Sequence, residues 1–341
     1  MKKGTFIGLL IFVLIFGFAA IVATAVLTHT PTEVVATTPR QPSSNQAGSG
    51  SGFVSPFRRN SQIHGALSYV QYGYNRAYIF GSMHVGNPDF FPLAQIVEDA
   101  MRRADAFAFE YDLSLDDTLE GIMAALYFMF LPEGETLATY LSPDVHAHVV
   151  EILSTFYYID YEDVNIFRPS VIETLMLYFE VAPNVGVYAE YSVDDYVFEF
   201  ALDAGLPILG LVPMEHQMTI AFAPPHEVLE ASILLWTDRN TMVEQTRNLV
   251  DAYAAQDMDA IRNMISVADA DLTNPAIAFE VDVFMTQRTS EFAHEIDRLL
   301  RETTEPTTFF ITIGIAHLLG DHGNAFAVLE GLGHTVNHLW E

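Results

Sequence analysis

Two segments far apart in the chain share one pattern, in which an apolar, β-prone run leads into a Gly-x-x-His sequence. The first covers residues 77–84 and ends at His84, and the second covers residues 308–317 and ends at His317. Each predicts a strand, a glycine turn and a histidine just past the strand end. Because ligand sites in α/β proteins lie beyond the carboxyl ends of strands, we expect the fold to bring both histidines to one site.

The glycines and histidines of these segments favour a functional site. Glycine lets the backbone turn sharply or approach a ligand closely, and histidine titrates near neutral pH and is the commonest metal ligand. A single histidine at a strand end is also compatible with a satisfied, partly buried structural residue, and this alternative stays open for each of the two. The repetition of the whole unit favours a shared site.

An acidic residue, Glu110, follows a third apolar run at residues 107–109. A carboxylate at the end of an interior strand must be paired or bound, because burying an unpaired charge is costly. Two imidazoles and one carboxylate are a common ligand set for a catalytic divalent metal. We therefore expect His84, Glu110 and His317 to hold a metal ion, with Asp112 as a further ligand or orienting partner. The alternative for Glu110 is a carboxylate that accepts a backbone or arginine hydrogen bond.

The pattern along residues 61–341 predicts a single α/β (α+β) domain. Strand-like runs lie near both ends, and helical spacing fills most of the middle. This order predicts a mixed central sheet built from N- and C-terminal segments, with a helix-rich middle and a short strand at residues 207–211. The sequence motifs of P-loop, dinucleotide-binding and serine hydrolase sites do not occur in the chain.

Residues 1–27 are predicted to form an N-terminal membrane anchor. Lys2 and Lys3 precede an uncharged, mostly apolar stretch at residues 4–27, which is long enough to cross a bilayer as a helix at about 1.5 Å per residue. The positive charges before the span predict a cytoplasmic N-terminus and an extracellular domain. The alternative is a signal peptide cleaved near residues 23–25, although signal peptides usually have a shorter apolar region.

Composition also predicts a linker and argues against some partners and some kinds of chemistry. Residues 28–60 are rich in Thr, Pro, Ser, Gly and Gln, which predicts a flexible linker. The formal charge is −29, from 44 acidic and 15 basic residues, and such a surface argues against nucleic-acid binding because it repels phosphate. Since the chain has no cysteine, disulfides, thiolate metal ligands and thiol nucleophiles are excluded.

Together with other segments, these motifs make the chain resemble the TraB/GumN family, also called the TraB/PrgY or Tiki-like group. The resemblance extends from about residue 65 to residue 338. The further segments similar to family motifs are Glu110-Tyr111-Asp112, residues 131–137, residues 192–196 and the stretch around Arg288. Ser192 stands where the family has glycine, and Thr289 where it has asparagine.

This resemblance implies a shared α/β fold with one site between its two halves. Animal Tiki proteins of the group are membrane-tethered metalloproteases that use Mn or Co, and bacterial members are linked to shutting down peptide pheromones. The implied function is a metal-dependent, peptidase-like hydrolase that acts on a peptide or small protein outside the membrane, with Mn, Co or Zn as the ion. Its catalytic residues would be Glu110, Asp112 and Arg288. Asp112 would accept a proton from water, and Arg288 would steady an oxyanion or a substrate carboxylate.

Two other functions stay open. One is a membrane-tethered protein that captures a peptide without cutting it, in a pocket lined by Phe80, Phe90, Phe91 and Phe109. The other is a haem or porphyrin-type site with a histidine ligand, which distant relatives of this fold suggest.

Overall fold

The two strand–histidine segments pair directly with each other. β2 (Asn75–Ser82) and β5 (Thr308–Gly314) run parallel, with Ser82 opposite Gly314 at their carboxyl ends. They belong to a six-stranded sheet of order β4-β3-β5-β2-β1-β6 in the computed structural model, which describes residues 63–116, 118–268, 270–321 and 323–340. The other strands are β1 (Ser68–Tyr72), β3 (Ala106–Phe109), β4 (Ile208–Gly210) and β6 (Asn337–His338).

The sheet is mixed, as predicted. β4, β3, β5 and β2 are parallel neighbours, whereas β1 pairs antiparallel with β2 and with β6. Every residue of β3 is buried, and β5 is buried after its first residue, because helices cover both faces of a parallel sheet. The N- and C-terminal segments supply five of these strands, and the helix-rich middle adds only β4.

The expected anchor at residues 1–27 and linker at residues 28–60 lie outside the described residues. Within the described ranges, the structure has no helix that is both long enough and apolar enough to span a bilayer.

Helices form most of the remaining described chain. Their bounds are Gln95–Met101, Leu119–Met129, Leu137–Tyr140, Pro143–Leu153, Tyr161–Val164, Pro169–Leu175, Ala182–Asn184, Val193–Ala204, Met214–Phe222, His226–Ile233, Arg239–Ala255, Met258–Ile265, Pro275–Phe279, Thr289–Glu302, Ile315–Leu319 and Ala325–Gly331. Short 3₁₀ turns lie at Pro88–Phe90, Leu113–Leu115 and Ala189–Tyr191.

Two long helices contain a π-helical stretch, Met176–Val181 in one and Glu280–Arg288 in the other. The apolar spacing predicts both helices, but it does not predict the wider turns, which are often found near functional sites. The second stretch begins at the buried Glu280 and ends at the buried Arg288.

Two helices that carry residues of the candidate site differ from the sequence prediction. The sequence pattern predicts no helix at Met214–Phe222, and it predicts a glycine turn after β5. Instead, β5 leads directly into Ile315–Leu319, all of whose residues are buried. A helix buried on every side has no polar face, so its sequence lacks the periodicity by which a helix is recognised.

Candidate functional site

The carboxyl ends of three parallel strands bring the predicted residues to one edge of the sheet. His84 lies two residues beyond β2, Glu110 follows β3 directly, and His317 lies three residues beyond β5. All three side chains are buried. Their placement at one edge follows from strand order, since β5 lies between β2 and β3.

One ring nitrogen of His317 is hydrogen-bonded, and the other has no hydrogen-bond partner among the described residues. Its Nδ1 lies 2.7 Å from the Oγ1 of Thr289. Its Nε2 is buried, lacks a hydrogen-bond partner among the described residues, and lies 3.9 Å from Oε1 of Glu110. Burial lowers the pKa of His317 to about 3, so the imidazole is neutral at physiological pH and can act as a ligand.

His84 is oriented in the same way by a carboxylate. Its Nδ1 lies 2.9 Å from Oδ2 of Asp194, and Oδ1 of Asp194 accepts a hydrogen bond of 2.7 Å from Ser82. The Nε2 of His84 is buried, also without a partner in the described part of the chain. Burial acts to lower the pKa of His84, but the negative charges of Asp194 and Glu110 outweigh it and raise that pKa.

Glu110 is held as a carboxylate by three donors. Oε1 accepts a 2.8 Å hydrogen bond from the backbone N–H of Gly314, and Oε2 accepts one from Arg288 and one of 3.3 Å from Gln217. Burial alone would raise its pKa, but the positive charge of Arg288, with smaller contributions from His317, His84 and the N–H of Gly314, lowers it to about 2. The alternative predicted from the sequence, a carboxylate bonded to arginine and backbone, is therefore present.

Arg288 belongs to the site through Glu110. Its side chain is fully buried, and its guanidinium carbon lies 5.5 Å and 5.2 Å from the ring centroids of Phe284 and Phe292. Its Nε and Nη1 have no hydrogen-bond partner among the described residues. Two donors of Arg288 therefore stay available for a ligand.

Asp112 caps a local turn. Its carboxylate accepts hydrogen bonds from the backbone N–H and the hydroxyl of Ser114, at 3.0 Å and 2.6 Å. None of the contacts described for Asp112 joins it to His84, Glu110 or His317.

The backbone around His84 is tightly fitted. Gly86 pairs with Tyr188 through two backbone hydrogen bonds, and a Cβ at Gly86 would lie 1.8 Å from the carbonyl oxygen of Tyr191. The N–H of Val193 donates to the carbonyl of Met83. These contacts dock the start of the Val193–Ala204 helix onto the segment carrying His84, which places Asp194 beside the imidazole.

Three partners of the site are not predicted by the sequence: Asp194, Thr289 and Gln217. Asp194 and Thr289 lie in segments that resemble family motifs. The resemblance marks these segments, but it does not indicate that the two residues bond to the histidines. Gln217 lies on the unpredicted helix Met214–Phe222, and no sequence signal points to it.

Two buried glutamates, Glu173 and Glu280, interact electrostatically, and the charge of Arg288 also acts on Glu280. Glu173 and Glu280 are buried, and neither oxygen of Glu280 has a partner in the described residues. Burial raises the pKa of each to about 8. Repulsion from Glu173 adds to the rise at Glu280, and attraction to Arg288 opposes it.

A small cavity adjoins His84. It measures about 20 Å³ and is lined in part by Leu177, Thr246 and Leu249, which is about the space that one ordered water needs. The Oγ1 of Thr246 is buried and lacks a partner among the described residues.

The aromatic pocket expected for peptide capture is not formed by the predicted side chains. Phe80, Phe90 and Phe109 are buried in the hydrophobic core. Phe91 stacks on Tyr196, with ring centroids 4.4 Å apart.

As a metal site, the cluster is incomplete in its present arrangement. In the described ranges, no group of three or more His, Asp or Glu side chains is close enough to hold an ion. The arrangement offers two imidazole nitrogens that can carry free lone pairs and one ionised carboxylate, all shielded from water.

Comparison with known proteins identifies the family. The chain is 23% identical over 274 residues to the uncharacterized protein YbaP of Shigella flexneri and to that of Escherichia coli strain K12, which covers 77% of this chain and 92% of each relative. No solved structure matches the chain significantly. The model of the TraB/PrgY/gumN family matches residues 66–337, so the chain belongs to this family.

Proposed function

We propose that this protein is a metal-dependent, peptidase-like hydrolase that acts on a peptide or small protein outside the membrane, to which residues 1–27 tether it. The supporting observation is the pair of buried Nε2 atoms on His84 and His317, which lack partners among the described residues while each Nδ1 is bonded. A buried polar atom without a partner costs about 1–3 kcal/mol. A ligand that accepts both lone pairs would offset this cost.

The donor types fit a divalent transition metal. Imidazole and carboxylate suit Mn, Co and Zn, and the 3.9 Å between Nε2 of His317 and Oε1 of Glu110 is compatible with two ligands that are each about 2.1 Å from one ion. His84, Glu110 and His317 would hold it. When bound, the ion would lower the pKa of a water and polarise a substrate carbonyl.

The partners of the two histidines prepare them for this role. Asp194 accepts a hydrogen bond from a protonated Nδ1 of His84, and Thr289 can accept one from that of His317, so that each Nε2 carries the lone pair. This tautomer follows from the hydrogen-bond network. Ser82 fixes the Asp194 carboxylate in turn.

Glu110 and Arg288 supply charge. Arg288 and the N–H of Gly314 hold Glu110 ionised in a water-excluded setting. The remaining donors of Arg288, Nε and Nη1, would steady negative charge on a substrate oxygen. Asp112 accepts both hydrogen bonds from Ser114 on Oδ1, so its Oδ2 would be the atom that accepts a proton from water.

One observation favours the second candidate, capture of a peptide without cleavage. Both oxygens of Glu110 already accept hydrogen bonds from protein donors, which leaves fewer lone pairs for an ion. The same edge of the sheet would then bind a peptide through Arg288 and the histidines.

Cleavage of a peptide library by the purified full-length chain separates the two functions. The hydrolase predicts new peptide termini that disappear with a chelator and return with Mn²⁺. The matched variants are His317→Ala, which should abolish cleavage, and His294→Ala, which removes an exposed imidazole bonded only within its own helix turn. Peptide binding without product would support capture. Cleavage that persists in His317→Ala would contradict both.

A further inference from the structure

The helix Leu119–Met129 presents an apolar face to solvent. Four large side chains are exposed on it: Leu119 by 78%, Ile122 by 37%, Met123 by 58% and Tyr127 by 71%. Their spacing of three and four residues places them on one face of the helix. The helix contains a single charged residue, Glu120.

The other face of this helix is already occupied. Gly121, Ala125, Phe128 and Met129 are buried, and the helix packs against Met214–Phe222. A helix that is apolar all round is ordinarily buried on all sides. In a chain with a formal charge of −29, an exposed face this poor in charge marks a contact with something apolar.

We propose that the face formed by Leu119, Ile122, Met123 and Tyr127 lies in the lipid–water interface of the bilayer that holds the anchor at residues 1–27. This inference rests on the proposed membrane tether and is independent of the chemistry at the histidines. Residues 28–60 are predicted from their composition to form a flexible linker, and a flexible chain of that length has an r.m.s. length of about 30 Å at about 5–6 Å × √n. The tether therefore keeps the domain near the lipid surface, where a weak contact is favoured by its high effective concentration.

The side chains on this face suit a neutral lipid surface. Leucine, isoleucine and methionine bury well in the acyl boundary, and tyrosine is enriched at membrane interfaces. Glu120 borders the face and no basic residue lies on the helix, so zwitterionic headgroups fit it better than anionic ones. A second copy of the chain is a poorer occupant, because two strongly acidic domains repel each other.

Docking through this face would hold the candidate site close to the membrane. The helix packs on Met214–Phe222, which carries Gln217, and Gln217 bonds to Glu110.

A depth measurement tests this contact. The chain has no cysteine, so Met123→Cys gives a single attachment point for an environment-sensitive fluorophore on the full-length protein in phosphatidylcholine vesicles. Insertion should shift the emission to a shorter wavelength than in lipid-free buffer, and lipids that carry a nitroxide on the acyl chain should quench most of it. The control is Glu330→Cys, an exposed position on the helix Ala325–Gly331, which packs against Thr289–Glu302 and Ile315–Leu319 and should stay unquenched.

A second variant keeps the test independent of the anchor. Adding Leu119→Glu and Tyr127→Glu to Met123→Cys should remove the quenching while the protein still sediments with vesicles after an alkaline wash. An unquenched label on sedimenting Met123→Cys protein that carries no other substitution would overturn the proposal, and so would cross-linking of two such chains through position 123. Failure of the wild-type chain to sediment would remove the tether and this contact with it, but would leave the peptide-cleavage result untouched.

Discussion

Nε2 of His317 and Oε1 of Glu110 face each other across 3.9 Å in the buried edge of the sheet. This distance is too long for a hydrogen bond, and Oε1 instead accepts one from the backbone of Gly314. Because the pKa of His317 is lowered to about 3 by burial, the imidazole does not form an ion pair with the carboxylate near neutral pH. The two atoms are therefore not bonded to each other, and each can donate a lone pair to a small ligand that lies between them.

Removing the guanidinium of Arg288 should destabilise the fold strongly. Arg288→Met leaves Glu110 charged and buried without its ion-pair partner, and breaking a buried pair in this way costs about 3–5 kcal/mol. Denaturant unfolding measures the loss. The double variant Arg288→Met/Glu110→Gln removes both charges and should recover part of it; equal stability of the single and double variants would contradict an uncompensated Glu110 charge as the cause of the loss.

Replacing Glu280 by glutamine should stabilise the protein at alkaline pH. The folded-state pKa of Glu280 is raised from 4.5 to about 8 by burial, so the folded state binds its proton more tightly than the unfolded state. The resulting stabilisation is complete below about pH 4.5 and is lost as the pH rises through about 8.

The thermal midpoint of Glu280→Gln should therefore change less with pH than that of the wild type between pH 4.5 and about 8. The exposed Glu305→Gln is the control and should follow the wild-type curve. A wild-type thermal midpoint that does not decrease as the pH rises from 4.5 to about 8 would argue against a buried, protonated Glu280.

Removing the charge of Asp194 should weaken metal binding without unfolding the protein. Asp194→Asn loses the carboxylate that orients His84 and raises its pKa, and loss of such a partner typically costs about 10–100-fold in metal affinity. Calorimetric titration with Mn²⁺ measures the change. Ser82→Ala, which removes only the hydroxyl bonded to Asp194, should have a smaller effect; wild-type affinity in Asp194→Asn would contradict a role for the Asp194 charge in metal binding by His84.

Adding a methyl group at Gly86 should distort the segment that carries His84. The new Cβ would lie 1.8 Å from the carbonyl oxygen of Tyr191, and overpacking of this kind costs about 1–3 kcal/mol or more. Gly331→Ala is the matched control, since no atom lies within 4 Å of its Cβ position. Thermal unfolding should separate the two variants, and equal midpoints would contradict the tight docking of Tyr191 on Gly86.

The amino-acid sequence predicts the parts of the fold that depend on local pattern. The runs at β2, β3 and β5 are apolar, β-prone and followed by glycine or a polar residue, and this pattern alone predicts strands with His84, Glu110 and His317 at their ends. The short β4 is predicted for the same reason. The anchor and linker stay predictions, since they lie outside the described residues.

The parts that depend on distant contacts could not be predicted. Arg288 and Glu110 are 178 positions apart, and nothing local in either segment indicates that one holds the charge of the other. The helix at Ile315–Leu319 is buried on all sides, so its sequence has no amphipathic period. Asp194 and Gln217 reach the site only because their helices pack there.

Metal titration of the full-length chain tests the central claim most directly, because it does not depend on the identity of the substrate. Wild-type protein and His294→Ala should each bind Mn²⁺ or Co²⁺ at a single site, whereas His84→Ala and His317→Ala should not bind, although both should still unfold cooperatively. Unchanged metal binding in His84→Ala and His317→Ala, or no binding by the wild type, would contradict the metal-dependent function proposed for this site.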